Sequence, residues 1–386
     1  MKLIAKSFIS TYIILQFILA ADTFTIANGI TVETTGGVYI QLKGDLVETG
    51  TGYLKGIVTS GPRTGVTSFA GLSLSAGMDG TITRNTGTEY AGGNGEGTNV
   101  LRYYELNNTG SAFAPDVSAV FVNSGVHDEQ NGLSGPYFIY NYDDPDWNAY
   151  GDGSSASPLA DNSVALDAGT NDLVFSEGLR IAAQLFLEGA YLEDAGMSNT
   201  INASIPLTSP YSEDPRTAAS VHGSAVDWVL VEVRATTDGT PLGYRSCFLS
   251  NGGNLMEDDW SVGIGLPWIP GSYYLVIRHR NHLAIMNSAP EIVTTWGGTA
   301  ASHNFSTAQT QAFGTSPMVF LETNTYGMYA GDANSNATVN TTDYLSVLPD
   351  IGLSGYYDSD CNLNNTVNTT DYLVILPNVG KTTQVP

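Results

Sequence analysis

The chain has 386 residues, which is long enough for about two to four domains. Its formal net charge is −24, yet Asp, Glu, Lys and Arg make up only 13% of it, against about a quarter of an average globular protein. Such a charge repels phosphates, so neither nucleic acid nor an anionic membrane surface is an expected partner.

Residues 1–20 have the organisation of a secretory signal peptide. Lys2 and Lys6 precede an apolar run from Phe8 to Leu19, and the small pair Ala20-Ala21 follows. The run is shorter than the roughly 20 apolar residues that span a bilayer. We therefore predict a cleaved signal, a secreted protein at the cell surface or in the extracellular medium, and no membrane span. An uncleaved anchor is the alternative.

Residues 21–98 predict a β-rich N-terminal domain. Short segments of alternating polarity, such as 37–42, 52–58 and 67–74, are separated by Gly-Thr-Gly and Gly-Pro turns. This spacing is typical of all-β structure. A sandwich and a short β-solenoid fit it equally well.

Residues 99–178 follow a Gly- and Asn-rich interruption at 92–98, which indicates a domain boundary or a long loop, and they predict a β-sandwich domain. Between two of the strands, the run from Asp143 to Asp152 clusters carboxylates next to glycines. A glycosidase needs two carboxyl groups at a defined separation across a cleft, which one loop does not establish. An acidic hairpin loop is the simpler interpretation, since Asp, Pro and Gly favour turns.

Residues 179–328 predict an Ig-like or prealbumin-like β-sandwich of about seven strands, because long β-branched and aromatic segments such as 225–234 and 271–280 are joined by turn signals. The only concentrated run of basic residues in the sequence is 278–282. It is either a contact for a ligand or partner, or a set of framework arginines that pair with acidic residues. Strand alternation would put Arg280 and His282 on one face and His279 on the other, so the two histidines would not share a metal.

Residues 329–386 contain a tandem repeat that predicts a small α-helical tail. The run Asp332 to Leu345 recurs 28 positions later as Asp360 to Leu373, and the register holds through Leu-Pro to a glycine in each copy. Each copy predicts a twelve-residue loop followed by an amphipathic helix that ends at Pro349 or Pro377.

The loops place oxygen-bearing residues at the positions from which such loops coordinate Ca²⁺, namely 1, 3, 5, 7 (through the backbone carbonyl), 9 and 12. Two carboxylates per loop match the charge of one ion and predict weak, extracellular-type affinity. Val339 and Val367, at position 8, are expected to pair the loops back to back. The predicted calcium ligands of the two sites are Asp332, Asn334, Asn336, Thr338, Asn340, Asp343, Asp360, Asn362, Asn364, Thr366, Asn368 and Asp371.

The tandem resembles a type I dockerin, in which each loop ends in Asp and Thr-Thr occupies positions 10 and 11. The resemblance implies that those threonines and the following helix meet a cohesin partner through a pseudo-twofold face. The chain departs from the family at position 6, where Ala337 and Asn365 replace the usual Gly. The prolines also shorten both helices.

Residues from about 180 to 380 resemble a module of secreted surface proteins of Bacteroidetes-type bacteria, carried by the runs 226–234 and 270–283 ahead of dockerin-like repeats. This resemblance implies no catalytic residue. The repeat follows the sandwich without a Pro/Thr linker, which predicts that the tail packs on its neighbour. The two cysteines, Cys247 and Cys361, are expected to be unpaired, although secretion would permit a bridge.

Nucleophile-elbow, zinc-protease and phosphate-loop motifs are absent from the sequence. We expect a non-catalytic extracellular structural or adhesive protein with a calcium-stabilised tail, able to self-associate into a filament or surface layer. One alternative is a module that docks onto a cohesin-like partner. Another is a secreted glycan-active enzyme or carbohydrate-binding protein that uses the loop from Asp143 to Asp152.

Overall fold

The chain is mainly β and divides into two compact units, residues 1–178 with 267–269 and residues 179–266 with 270–386. The predicted mainly-β fold class with a small helical tail is confirmed. The computed structural model describes residues 17–19, 23–36, 38–91, 99–122, 127–131, 133, 137–142, 147–154, 159–161, 164–194, 196–258, 260–266, 271–293 and 301–386. Most of the predicted signal peptide and residues 143–146 of the acidic run lie outside these ranges.

Fourteen strands are described in the first unit, and twelve of them form one sheet. They are β1 (Phe17–Leu19), β2 (Thr23–Ile26), β3 (Thr31–Glu33), β4 (Tyr39–Leu42), β5 (Asp45–Glu48), β6 (Tyr53–Thr59), β7 (Arg63–Phe69), β8 (Leu72–Thr86), β9 (Arg102–Asn108), β10 (Val117–Ala119), β11 (Tyr137–Tyr142), β12 (Trp147–Ser154), β13 (Leu159–Asp161) and β14 (Gly169–Ser176).

The first unit contains both parallel and antiparallel strand pairing. Its early strands pair in parallel, with Thr23 opposite Asp45 in β2 and β5 and Thr31 opposite Tyr53 in β3 and β6. Parallel pairing between segments about 22 residues apart is the stacking of a solenoid. From β6 onward, the main path through β8, β9, β14, β11 and β12 is antiparallel.

The sheet continues directly from β8 to β9, on either side of residues 92–98. One core cluster contains Ile26, Leu54, Leu106 and Phe175 and thus draws on both predicted N-terminal domains. The domain boundaries proposed from the sequence, at 98, 178 and 328, stay predictions.

The second unit contains thirteen described strands and two α-helices. The strands are β15 (Leu179–Gln184), β16 (Tyr191–Leu192), β17 (Gly196–Met197), β18 (Ala225–Arg234), β19 (Gly243–Ser250), β20 (Leu255–Met256), β21 (Ile264–Leu266), β22 (Gly271–His279), β23 (His282–Met286), β24 (Glu291–Val293), β25 (Ala301–Asn304), β26 (Val319–Glu322) and β27 (Thr325–Gly327). Short 3-10 helices cover Glu188–Ala190, Asn202–Ser204, Phe305–Thr307, Gln309–Gln311, Leu348–Asp350 and Leu376–Asn378.

The main sheet of this unit has the order β20-β19-β18-β22-β23, with β24 attached to β22, and a three-stranded sheet has the order β21-β15-β25. The central strand β18 is buried at all ten residues, as expected for a strand covered on both faces. Trp228 on this strand packs against Phe248, with ring centroids 3.8 Å apart.

The tail contributes α1 (Thr341–Val347) and α2 (Thr369–Ile375), each continued by a 3-10 turn that contains the proline. The predicted termination of both α-helices before Pro349 and Pro377 is confirmed. Tyr344 and Tyr372 occupy the same place in their copies and stack with centroids 5.1 Å apart. Among the described residues, no helix combines the length and apolar character needed to cross a membrane.

Candidate metal centre

The two predicted loops have matching geometry at position 1. Oδ1 of Asp332 accepts from the backbone N–H of Asn336 at 2.9 Å, and Oδ2 accepts from Ala337 at 2.9 Å. In the second copy, Asp360 accepts from Asn364 at 3.1 Å and from Asn365 at 2.8 Å. Each aspartate therefore folds its own loop around its carboxylate.

Position 12 closes each loop from the other end. Asp343 accepts the N–H of Asn334 on Oδ1 at 3.3 Å and the N–H of Asn340 on Oδ2 at 2.8 Å. Asp371 makes the equivalent bonds at 3.1 and 2.8 Å. The second of these bonds completes a capping box at the start of each helix, so the loop end and the helix start share one carboxylate.

The asparagines of both loops hold the turns with their amide groups. Oδ1 of Asn336 accepts the N–H of Thr338 at 3.0 Å, and Asn364 accepts that of Thr366 at 2.9 Å. Asn334 and Asn362 each accept the N–H two residues ahead at 3.1 Å. These amide oxygens lie in the same short loops as the carboxylates.

Position 9 has a second role, because Oδ1 of Asn340 accepts the N–H of Thr342 at 2.8 Å and Oδ1 of Asn368 accepts that of Thr370 at 2.7 Å. The two asparagines are thus the N-caps of α1 and α2. Their ligand role, expected through water, stays a prediction.

Position 6 adopts the left-handed backbone conformation for which this loop type uses glycine. Ala337 has φ +68° and Asn365 has φ +71°. Asn tolerates this conformation, while Ala is strained by its Cβ. The loop geometry is therefore retained at an energetic cost in the first copy.

The four aspartates are buried, at 4% exposure for Asp332 and 0% for Asp343, Asp360 and Asp371. Among the described residues, no Lys, Arg or His lies within salt-bridge distance of any of these carboxylates. Burial raises the pKa of Asp332 and of Asp371, and it raises that of Asp360 to about 6. Repulsion from Asp343 further raises the pKa of Asp332, and repulsion from Asp371 further raises that of Asp360.

This donor set is oxygen-only, acidic and lacks a protein cation, which is the chemistry that a hard divalent ion such as Ca²⁺ requires. Across the described ranges, no three His, Cys, Asp or Glu side chains cluster as a metal site, because each loop supplies two carboxylates and draws its other oxygens from amides and carbonyls. The twelve residues predicted as ligands all lie in these two loops, and their role as ligands stays a prediction.

The expected back-to-back pairing of Val339 with Val367 is wrong at the level of the backbone. Val339 exchanges hydrogen bonds with Gly380 and Lys381, which follow α2, while Val367 exchanges them with Gly352 and Leu353, which follow α1. Each loop therefore pairs with the segment after the other copy's helix. Both valine side chains are fully buried in one shared core cluster.

The basic spot of the sandwich is a two-residue hairpin turn, Arg280-Asn281, that joins β22 to β23. The alternation argument for its histidines is wrong, because the chain reverses there and makes His279 and His282 cross-strand partners, with Nδ1 atoms 3.1 Å apart. The interpretation as framework arginines is confirmed, since Arg278 pairs with Glu232 at 2.6 Å and Arg280 with Asp227 at 2.9 Å.

The hairpin turn anchors the tail to the sandwich. Arg280 lies over the ring of Tyr356 at 4.3 Å and donates to the carbonyl of Tyr357. Tyr356 in turn donates to Asp227 at 2.6 Å, and Ser335 donates to the carbonyl of Arg280 at 2.6 Å. The predicted packing of the tail on its neighbour is confirmed.

A hydrogen-bond chain assigns both histidines as neutral. The N–H of Gly189 donates to Nε2 of His282 at 3.1 Å, so the His282 proton is on Nδ1. Nε2 of His279 lies 3.2 Å from Asp227 and donates to it, so its Nδ1 is the acceptor that faces Nδ1 of His282. Burial lowers the pKa of both histidines, His282 the further.

Several apolar residues of the tail are exposed in matching pairs. The pairs related by the repeat are Leu345 and Leu373 (66% and 66% exposed), Leu348 and Leu376 (59% and 63%), and Ile351 and Val379 (42% and 45%). We call these six residues the apolar face. Thr341, Thr342, Thr369 and Thr370, at positions 10 and 11, are also exposed.

No protein-family model and no curated protein matches the sequence. The solved structures that are similar to part of it include two interface mutants of a type II cohesin–X-dockerin complex from Acetivibrio cellulolyticus. The C-terminal interface mutant matches with 16% identity over 53% of this chain and 98% of that chain, at a TM-score of 0.30. The N-terminal interface mutant matches with 16% identity over 53% and 97%, at 0.29. Such low similarity carries no argument about function.

Sequence reasoning missed the residues that join the tail to the sandwich, chiefly Asp227, Asn281 and Tyr356. An aspartate inside the mostly apolar β18 segment was the available signal, because a buried carboxylate needs a partner. Cys247 and Cys361 are both buried and unpaired, as expected.

Proposed function

We propose that this protein is a non-catalytic extracellular protein whose calcium-loaded, dockerin-like tail attaches it to a protein partner. The observation that supports this function best is the apolar face, in which three exposed residues of one copy are matched by three of the other. Exposed apolar residues that recur in pairs on two neighbouring helices and the segments after them are a feature of a binding surface rather than of scattered surface hydrophobicity.

Calcium would stabilise the two helices on which the apolar face begins. Asp343 and Asp371 belong both to the predicted sites and to the first turns of α1 and α2, from which Leu345 and Leu373 project. An ion held by these carboxylates would remove the repulsion between the buried charges and fix the helix starts. Binding of a partner should therefore require calcium.

The partner we propose is a cohesin-like module, following the resemblance of the tail to dockerins. The probe is a panel of recombinant type I and type II cohesin modules. Binding to the full chain is measured by surface plasmon resonance in about 2–5 mM calcium, above the roughly 0.1–1 mM dissociation constants of extracellular sites. Binding that is lost in EDTA and lost in the double variant Leu345→Glu/Leu373→Glu supports the proposal.

A matched control separates docking from general surface hydrophobicity. Leu207 and Leu242 are 49% and 44% exposed on the sandwich, so Leu207→Glu/Leu242→Glu should leave binding unchanged. A chain that binds calcium but no cohesin of either type would refute the cohesin partner.

Self-association is a second candidate, and the repeat symmetry of the apolar face favours it. A patch with internal twofold symmetry can pair with a second copy of itself, as isologous interfaces do. This would build the surface layer or filament expected from the sequence. Light scattering and negative-stain microscopy of the chain in calcium, compared with the Leu345→Glu/Leu373→Glu variant, would show particles larger than monomers only for the unchanged chain.

The glycan-active alternative rests on the acidic run from Asp143 to Asp152, whose residues 143–146 lie outside the described part of the chain. Its test is hydrolysis of a panel of polysaccharides by the chain and by Asp146→Asn. Turnover lost in the variant would replace our proposal, whereas equal absence of turnover in both would support a non-catalytic protein.

A further inference from the structure

One residue of the sandwich contacts the start of both predicted calcium loops. The hairpin turn Arg280-Asn281 places Asn281 between the copies, and its side chain is fully buried. Loop 1 begins at Asp332 and loop 2 at Asp360, and these position 1 residues supply a carboxylate to each site. Asn281 makes hydrogen bonds to both.

The backbone carbonyl of Asn281 serves the first loop. It accepts the N–H of Gly331 at 3.0 Å and that of Asp332 at 3.1 Å. Ser335, three residues into the loop, donates to the preceding carbonyl of Arg280 at 2.6 Å. The position of Asp332 is therefore set by the hairpin turn as well as by its own loop.

The side chain of Asn281 serves the second loop. Its Nδ2 donates to the carbonyl of Asp358 at 3.0 Å and to that of Asp360 at 2.8 Å. Its Oδ1 lies 2.8 Å from Nδ1 of His282, which carries a proton in the chain described above and donates to it. The amide group is thus fully used and held in one orientation.

We propose that Asn281 is a positioning residue that couples the two calcium sites, so that an ion in one loop raises the affinity of the other. The inference rests on the proposed calcium binding and adds a property to it. An ion that orders Asp332 also orders the backbone carbonyl of Asn281. The side-chain amide of Asn281 then holds Asp360 in place before the second ion binds. Because the second loop is then already ordered, the second ion loses less free energy to ordering it and binds more tightly.

The chain offers a control that joins the same two parts while making no hydrogen bond to Asp332 or to Asp360. Asn378 is 2% exposed and donates to Glu188, to the carbonyl of Ala330 at 2.9 Å and to that of Val374 at 3.1 Å. It resembles Asn281 in burial and in hydrogen-bond number. Its removal should weaken the attachment of the tail and leave the coupling intact.

The test is a double-mutant cycle read by calcium titration calorimetry on the full chain. Asp332→Asn disables loop 1 and leaves loop 2 as the single site. In the unchanged background, this variant should bind the remaining ion about 5- to 150-fold more weakly than the second site of the intact chain, the usual range of coupling between sites. In the Asn281→Ala background, disabling loop 1 should no longer change the calcium affinity of loop 2.

Asn378→Ala should lower the melting temperature yet preserve the full effect of Asp332→Asn on loop 2. Where Asn281→Ala fails to fold, Asn281→Ser, which retains the backbone carbonyl and a small polar group, takes its place. Equal loop 2 affinity with and without a working loop 1 in the unchanged background would overturn the coupling while leaving calcium binding intact. Absence of any calcium uptake by the unchanged chain would overturn both the coupling and the proposed function.

Discussion

The sandwich and the tail of the second unit treat buried carboxylates in opposite ways. In the sandwich, Asp227, Glu232 and Glu257 each face an arginine, as in the 2.8 Å contact between Arg245 and Glu257. Arg280 and the hydrogen bond from His279 hold the pKa of Asp227 well below its usual range, despite its burial. In the tail, no described Lys, Arg or His lies within salt-bridge distance of the four buried aspartates, and burial raises the pKa of Asp332, Asp360 and Asp371.

From this contrast we expect the tail, but not the sandwich, to depend on an ion from outside the chain. A buried carboxylate with an arginine is neutralised from within, whereas two carboxylates in one small loop without a cation are costly to keep charged. The sandwich should therefore be indifferent to divalent ions, and the tail should respond to them.

Removal of calcium should have the largest effect. Two sites filled at 100 times their dissociation constants would together stabilise the folded tail by about 5 kcal/mol, because each contributes about 2.7 kcal/mol. We expect EDTA to lower the melting temperature and to expose residues 329–386 to proteolysis. Magnesium at equal concentration is the control, since it demands a more rigid geometry. Identical melting and cleavage in calcium and in EDTA would contradict the interpretation of the loops.

Loss of the buried ion pair between Asp227 and Arg280 should have the second-largest effect on stability. Asp227→Asn keeps the size of the side chain but leaves Arg280 buried without its charge partner, which costs about 3–5 kcal/mol. Chemical denaturation should show this loss both in calcium and in EDTA, because Arg280 is left without its partner whether or not the loops hold an ion. The control is Asp358→Asn, since Asp358 is 63% exposed and 3.7 Å from Arg280, and its change should cost below about 1 kcal/mol. Unfolding at the same denaturant concentration with and without Asp227→Asn would contradict the importance of this ion pair.

Acid should destabilise the joint between sandwich and tail by a smaller amount. The pKa values of His279 and His282 are lowered in the folded state, so the unfolded chain binds more protons as pH falls below about 6.5. Their contribution to stability is thus present above that pH and is lost on acidification. Between pH 7.5 and pH 5, the melting temperature should fall less steeply for His282→Gln than for the unchanged chain. The loops are the same in both proteins, so equal slopes would exclude His282 as the cause.

The smallest effect should be a gain in stability at position 6 of the first loop. Ala337→Gly relieves a left-handed alanine and should stabilise the tail by about 1 kcal/mol. Asn365→Gly is the matched change in the second loop and should gain less, because Asn already tolerates that conformation. Thermal unfolding in calcium compares the two. A larger gain at Asn365 would show that the strain lies elsewhere.

The sequence predicted the features that depend on local pattern. The 28-residue repeat, the loop positions of Asp332 and Asp360, and the helix ends before Pro349 and Pro377 all follow from spacing and backbone chemistry. The absence of a linker correctly predicted that the tail packs on the sandwich.

The features that the sequence did not predict are a chain reversal and contacts between segments that are distant in sequence. The turn at Arg280-Asn281 was hidden because the strand pattern of 271–286 has no glycine or proline at that point. The partner of Val339 is Lys381, 42 residues away, and no local signal indicates that choice. Asn281 was unremarkable in sequence, because its importance comes entirely from the two loop starts that it contacts.

The exchanged pairing of the loops has a consequence for how such a tail could arise. Val339 needs the segment that follows α2, and Val367 needs the segment that follows α1. A single copy on its own would present an open backbone edge at its valine and would close it by joining a second identical peptide. The present tail is therefore equivalent to such a homodimer fused into one chain, and deleting either half should leave the remaining half unable to fold as a monomer.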